Sequence, residues 1–141
     1  MKTNGGFLIS QIKQLQGRVF EKMLKESGID AFNGAQGRIL YVLWEKERLT
    51  ISEIGHLTSL AKTTLTSMLD RMEESGLVVR SADKENRRQV IISITDKAKA
   101  YKEDYDRVSE RMNELFYKGF SEEEISAFEG MLGHIINNLD G

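Results

Sequence analysis

Two adjacent arginines, Arg87 and Arg88, close a polar stretch, Ser81-Ala82-Asp83-Lys84-Glu85-Asn86-Arg87-Arg88, that is too charged to lie in a core. A guanidinium is planar and permanently charged, which suits it to phosphate oxygens and to the negative potential of a minor groove. Asp83 lies across the same stretch and could hold one arginine through a paired hydrogen bond. Upstream, Lys62, Thr63, Thr64, Thr66 and Ser67 crowd into two turns' length of chain. Hydroxyls donate to or accept from base edges and phosphates, a threonine methyl can touch a thymine methyl, and Lys62 can reach a phosphate or a guanine. Each group also has a plainer reading, a solvated helix start for the threonine-rich run and a solvated turn with a surface ion pair for the arginine loop.

Other chemistries have little to stand on. The chain contains no cysteine, so disulfides, thiolate nucleophiles, thiol redox sensing and cysteine zinc sites are all excluded. Its two histidines, His56 and His134, are far apart in sequence, whereas zinc needs about three or four convergent ligands. No metal or cofactor is expected. The acidic run Glu122-Glu123-Glu124 and His134 are the only groups suggestive of catalysis. A helix N-terminus that favours negative charge accounts for the former and a surface position for the latter, so an enzyme is not expected.

These residues need elements to position them, and the apolar periodicity supplies a set. Leu8, Ile12, Leu15, Val19 and Met23, with Phe20 beside them, step like one helix face over residues 7–26, and Gly28 ends it. Asn33 followed by Gln36 forms a capping-box pattern that opens a second helix through Ile39, Leu40, Val42, Leu43 and Trp44. Thr50 with Glu53 opens a short third helix. A fourth follows at about 62–75, with Leu65, Met68, Leu69 and Met72 inward and Gly76 as its stop. The period then changes to two. Residues 77–80 and 89–94 read as a pair of strands around the arginine loop. Thr95-Asp96 begins a fifth helix carrying Tyr101, Tyr105, Val108, Met112 and Leu115, which Gly119 ends; Ser121 with Glu124 opens a sixth with Ile125, Phe128, Leu132, Ile135 and Leu139. Gly17 and Gly37 lie inside helices, at a cost to each.

A short helix, a tight turn and a second helix form a helix-turn-helix unit, whose second helix enters a major groove. A basic hairpin directly behind it is a wing. The fold class is therefore mainly α with a small β wing. The net charge is −2, but residues 61–100 carry eight Lys/Arg against six Asp/Glu, and for nucleic acid the distribution matters more than the total.

Residues 36–98 resemble the MarR (multiple antibiotic resistance regulator) family of winged helix-turn-helix transcription factors. The resemblance rests on Leu65-Thr66-Ser67-Met68-Leu69-Asp70-Arg71-Met72-Glu73-Glu74-Ser75-Gly76-Leu77-Val78-Val79-Arg80, then Asp83, Asn86-Arg87-Arg88 and Ile94-Thr95. The chain departs from the family at Asn86 (commonly Asp), Ala98 (frequently Gly), Gly55 (frequently Ala) and Ala61 (often a capping Ser). The resemblance implies one domain over 1–141, with a winged-helix region at 33–95 and helical dimerisation regions at 1–30 and 96–141. It implies a repressor bound as a homodimer to a pseudo-palindromic operator in double-stranded DNA. Without a run of about 18 apolar residues or a signal-peptide pattern at Met1-Lys2-Thr3-Asn4-Gly5-Gly6, the chain is expected in the cytoplasm with no membrane contact. The apolar faces of the first, fifth and sixth helices exceed what a small winged helix can cover, and a symmetric pair would bury them. Val108, Met112, Leu115, Ile135 and Leu139 are the expected interface. By the same resemblance a small aromatic or anionic effector would release the DNA, bound near Ile12, Leu15 and Trp44. The alternative is a helical protein-interaction module that has lost DNA binding, which would be expected to lack the basic wing.

Overall fold

The computed structural model describes residues 1–140. Its elements run α1 (Gly5–Glu26), α2 (Gly34–Lys46), β1 (Arg48–Thr50), α3 (Ile51–Thr58), α4 (Lys62–Glu74), β2 (Val78–Ala82), β3 (Val90–Ile94), α5 (Asp96–Lys99), α6 (Lys102–Phe116) and α7 (Glu122–Asp140). Local chemistry sets most of the boundaries. Asn33 and Thr50 each accept from the backbone N–H three residues on, while Gln36 and Glu53 reach back to the cap N–H. Ser121 and Glu124 make the same reciprocal pair at the start of α7. Gly28, Gly76 and Gly119 follow α1, α4 and α6 with φ of 77°, 77° and 88°, a left-handed geometry that glycine adopts without steric cost.

The sheet has three antiparallel strands in the order β1-β3-β2. The strand β1 is absent from the sequence expectation. It is three residues long with one apolar side chain, Leu49, so it has no periodicity to read; pairing of Leu49 with Ile92 on β3 creates it. The expected fifth helix is also divided into α5 and α6. At the break the Ala98 carbonyl accepts from Tyr101 N at 3.1 Å and from the Trp44 indole Nε1 at 3.0 Å. The tight turn lets Tyr101 and Tyr105 both pack on Phe32, with ring centroids 5.6 and 6.1 Å from it.

One core joins both halves of the chain. Leu24, Ile39, Leu40, Leu43, Ile54, Leu65, Leu69, Met72, Leu77, Val78, Ile92 and Val108 are all buried in it. Val108 and Met112 therefore correct the sequence expectation. They face inward within their own chain at 1% and 5% exposure, so they cannot form the surface of a pair. A helical stripe tells that a side chain is covered, not which chain covers it. Leu115, Ile135 and Leu139 are exposed, as are Phe7, Leu8, Phe120, Met131 and Ile136, and α7 buries none of its residues.

Gly17 in α1 and Gly37 in α2 differ in surroundings. A Cβ on Gly37 would sit 2.8 Å from Tyr105 Cε2, whereas one on Gly17 would meet nothing within 4 Å. The Tyr105 ring is packed between Phe20, Phe32 and Trp44 and has little room to yield. Gly37→Ala should therefore lose about 1–2 kcal/mol, overpacking outweighing the gain in helix propensity. Gly17→Ala should gain up to about 1 kcal/mol. Urea melts of the two variants check the opposite signs.

Candidate nucleic-acid interface

The helix-turn-helix is α3, the turn Ser59-Leu60-Ala61, and α4. Ile54 and Leu60 tuck the first helix and the turn against the core, and Ser59 takes a left-handed conformation (φ 58°, ψ 20°) to reverse the chain. Along α4 the sides separate cleanly. Leu65, Leu69 and Met72 are at most 1% exposed and Met68 packs partly beside them. Lys62, Thr63, Thr64, Thr66 and Ser67 are all exposed. Their side chains make no hydrogen bond or ion pair among the described residues, so every donor and acceptor they carry is available.

The β2–β3 hairpin follows two residues beyond Gly76, in register from Val78 opposite Ile94 to Ala82 opposite Val90. Its tip is organised by short side chains rather than by ion pairs. Asp83 Oδ1 accepts from Glu85 N at 3.0 Å, and Asn86 Oδ1 accepts from Arg88 N at 3.2 Å. The Asp83–arginine pair expected from the sequence is thus corrected: the aspartate forms no ion pair among the described residues and instead accepts from the backbone of its own turn, as aspartate and asparagine commonly do. Asn86 in place of the family's aspartate supplies the acceptor oxygen that this turn uses. Arg87 and Arg88 are exposed and form no ion pair among the described residues.

One residue that the sequence did not single out ties helix to hairpin. Arg80, on β2, donates through Nη1 to Asp70 Oδ1 at 2.6 Å and through Nη2 to the Thr66 carbonyl at 3.3 Å. Its backbone N–H donates to Glu73 Oε2 at 3.2 Å. Asp70 and Arg80 both stand in the family motif, but ten residues apart across a turn they do not announce a contact.

At the far end of α4, the Thr95 hydroxyl bonds the Gly76 and Leu77 carbonyls at 2.7 and 3.1 Å and caps α5 by accepting from Ala98 N. Lys97 Nζ reaches the Ser75 carbonyl at 2.7 Å.

The three residues expected to line an effector site are not brought together. Ile12 and Leu15 line an apolar cavity of about 380 Å³ with Val19, Met112, Leu115 and Phe116. Trp44 lies elsewhere, its N–H on Ala98 and its ring against Phe32 and Tyr105. It is drawn there because a half-buried indole N–H needs an acceptor. A second cavity, of about 430 Å³, runs between α1, α2, α3 and α6, with Gln16, Arg38, Tyr41, Leu57, Thr58 and Ser109 in its walls. Arg38 Nη2 donates to Gln16 Oε1 there at 3.2 Å.

The same architecture occurs in a mutant MarR from E. coli complexed with operator DNA, with a TM-score of 0.81 and 25% identity over 92% of this chain and 91% of that one. A family model described as MarR family matches residues 32–90, from just before α2 into β3. That match spans 59 of the 141 residues and takes in the helix-turn-helix and most of the hairpin. Among the relatives, the HTH-type transcriptional regulator TtmR of Methylorubrum extorquens is 47% identical over 64 residues, which are 45% of this chain but 33% of that protein. The transcriptional repressor IacR of Pseudomonas putida is 29% identical over 123 residues, 85% of this chain and 70% of that protein. The match to TtmR thus covers a third of that relative's length. No helix among the described residues is long and apolar enough to cross a membrane.

One family departure has a visible consequence. Ala61 stands at the N-cap of α4 and offers no side-chain acceptor, leaving the first N–H groups of the helix uncapped. Ala61→Ser should stabilise the protein by about 1 kcal/mol, seen as a higher midpoint in thermal or urea unfolding.

Proposed function

We infer that this chain is a MarR-family, sequence-specific regulator of transcription that binds double-stranded DNA, and a binding protein rather than an enzyme. The observation that carries the reading is the state of the polar side chains. Lys62, Thr63, Thr64, Thr66 and Ser67 on α4, whose other side is buried, and Arg87 and Arg88 at the tip of the adjoining hairpin are exposed and uncommitted. In the reading, α4 enters the major groove with its hydroxyls at base edges and Lys62 on the backbone, while the wing arginines reach the neighbouring minor groove or its phosphates. The MarR of E. coli, alike in fold, is complexed with operator DNA.

The regulator acts as a homodimer. The support is the apolar surface left on α1, the end of α6 and α7, where Leu115, Ile135 and Leu139 are 50%, 41% and 83% exposed. Burying one such side chain contributes about 1.5–3 kcal/mol, and a two-fold pair buries each twice. Two copies of α4 about 34–36 Å apart then read half-sites one helical turn apart. Repression is the mode we favour, as in IacR. A small aromatic or anionic effector would release the DNA from the cavity walled by Arg38 and Gln16, whose guanidinium suits an anion and whose wall includes Leu57 and Thr58 of α3.

A gel shift or anisotropy titration with DNA from the protein's own promoter region tests the central claim. Arg87→Ala plus Arg88→Ala should weaken binding strongly with the fold intact, and the salt slope should flatten by about 0.9 for each phosphate no longer neutralised. Unchanged affinity and slope would remove the wing from the mechanism. Replacing a base-reading hydroxyl of α4 by alanine should cost roughly 1–3 kcal/mol at one operator position only. For the pair, Ile135→Glu or Leu139→Glu should give a folded monomer by light scattering, binding a palindrome no better than a half-site.

A further inference from the structure

We propose that Arg80 is a positioning residue that makes the wing and the recognition helix a single rigid reader, so that Arg87 and Arg88 contribute to DNA binding only while its guanidinium grips α4. The proposal rests on the DNA-binding reading above. The apolar seat of α4, Leu65, Leu69 and Met72, buries one side of the helix, but burial is non-directional and leaves sliding and rotation weakly opposed. Arg80 supplies the direction. From β2 it takes hold of three positions on one stripe of α4: the Thr66 carbonyl, the Asp70 carboxylate and, through its own backbone N–H, the Glu73 carboxylate. Those positions step by four and three, one line along the helix, so the grip fixes both its height and its angle relative to the strand. Arg80 Nη1 also lies 3.8 Å from Glu73 Oε1, so one cation serves two carboxylates.

Two further observations separate this from an incidental surface pair. The Arg80 side chain is 25% exposed, and its Nε is buried with no hydrogen-bond partner. An orphaned buried donor is unfavourable, and the pose that orphans it is the one that lets both terminal nitrogens reach α4. Arg80 is also two residues from the end of β2, in register with Ile92, so its strand leads directly into the loop that carries Arg87 and Arg88. A lysine could neutralise Asp70 but has no fork with which to hold Thr66 as well.

A double-mutant cycle on one operator duplex at one salt concentration tests the coupling. The four proteins are the wild type, Arg80→Lys, Arg87→Ala with Arg88→Ala, and all three substitutions together, each checked for fold and mass. A merely structural Arg80 would lower stability and affinity without changing what the wing contributes. Coupling predicts that removing the wing arginines costs at least about tenfold less in the Arg80→Lys background than in the wild type. The Arg80→Lys protein should also lose wing protection in hydroxyl-radical footprints while keeping major-groove protection. Equal wing losses in both backgrounds overturn the proposal and leave the DNA-binding reading intact, as does a wild type that binds tightly with no contribution from Arg87 and Arg88. A wild type that binds no DNA overturns both. If Arg80→Lys fails to fold, Asp70→Asn takes its place in the cycle, with the same two outcomes.

Discussion

A helix can offer its polar side to a groove only if its other side is anchored, and the anchoring of α4 governs the rest of this structure. Leu65, Leu69 and Met72 have essentially no contact with solvent. With their side committed, the remaining positions of the helix have no choice of environment, and the run of lysine, threonines and serine is held outward. The neighbouring elements follow from the need to complete that seat. Ile54 of α3, Leu77 and Val78 of the chain leaving α4, Ile92 of the central strand, and Leu40 and Leu43 of α2 are buried in the same core. The winged helix is in this sense a wrapping that buries one face of one helix and leaves the opposite face bare.

The features legible in the sequence are those whose cause is local. Asn33–Gln36, Thr50–Glu53 and Ser121–Glu124 are reciprocal hydrogen-bond pairs three residues apart, and the residue types alone specify them. The glycines after α1, α4 and α6 are legible for the same reason. Features with distant causes were not. The strand Arg48–Thr50 exists because β3 offers it partners more than forty residues later in the chain. The break between α5 and α6 coincides with a bond from Trp44 to Ala98, 54 residues away.

The candidate site divides along the same line. Which side of α4 is polar could be read from spacing, because a helix repeats. The organisation of the wing tip could not, because Asp83 had two possible partners, an arginine side chain or the backbone two residues on. The nearer one is held at lower entropic cost and is the one observed. The fate of Trp44 was likewise hidden. A large aromatic residue among apolar neighbours is equally suited to lining a cavity or filling a core, and here its N–H finds an acceptor on the far half of the chain.

The junction at Thr95 has a mechanical meaning. Its hydroxyl is bonded to the backbone just past α4 and also starts α5, and Lys97 from α5 caps the last turn of α4. The reading helix and the long C-terminal arm thus share a short, tightly bonded pivot. In the homodimer proposed above, a change in how the C-terminal helices pack would be carried through that pivot to each reading helix. Operator spacing and arm geometry would then be one mechanical variable, and anything that alters how the arms pack would retune the distance between the two reading heads.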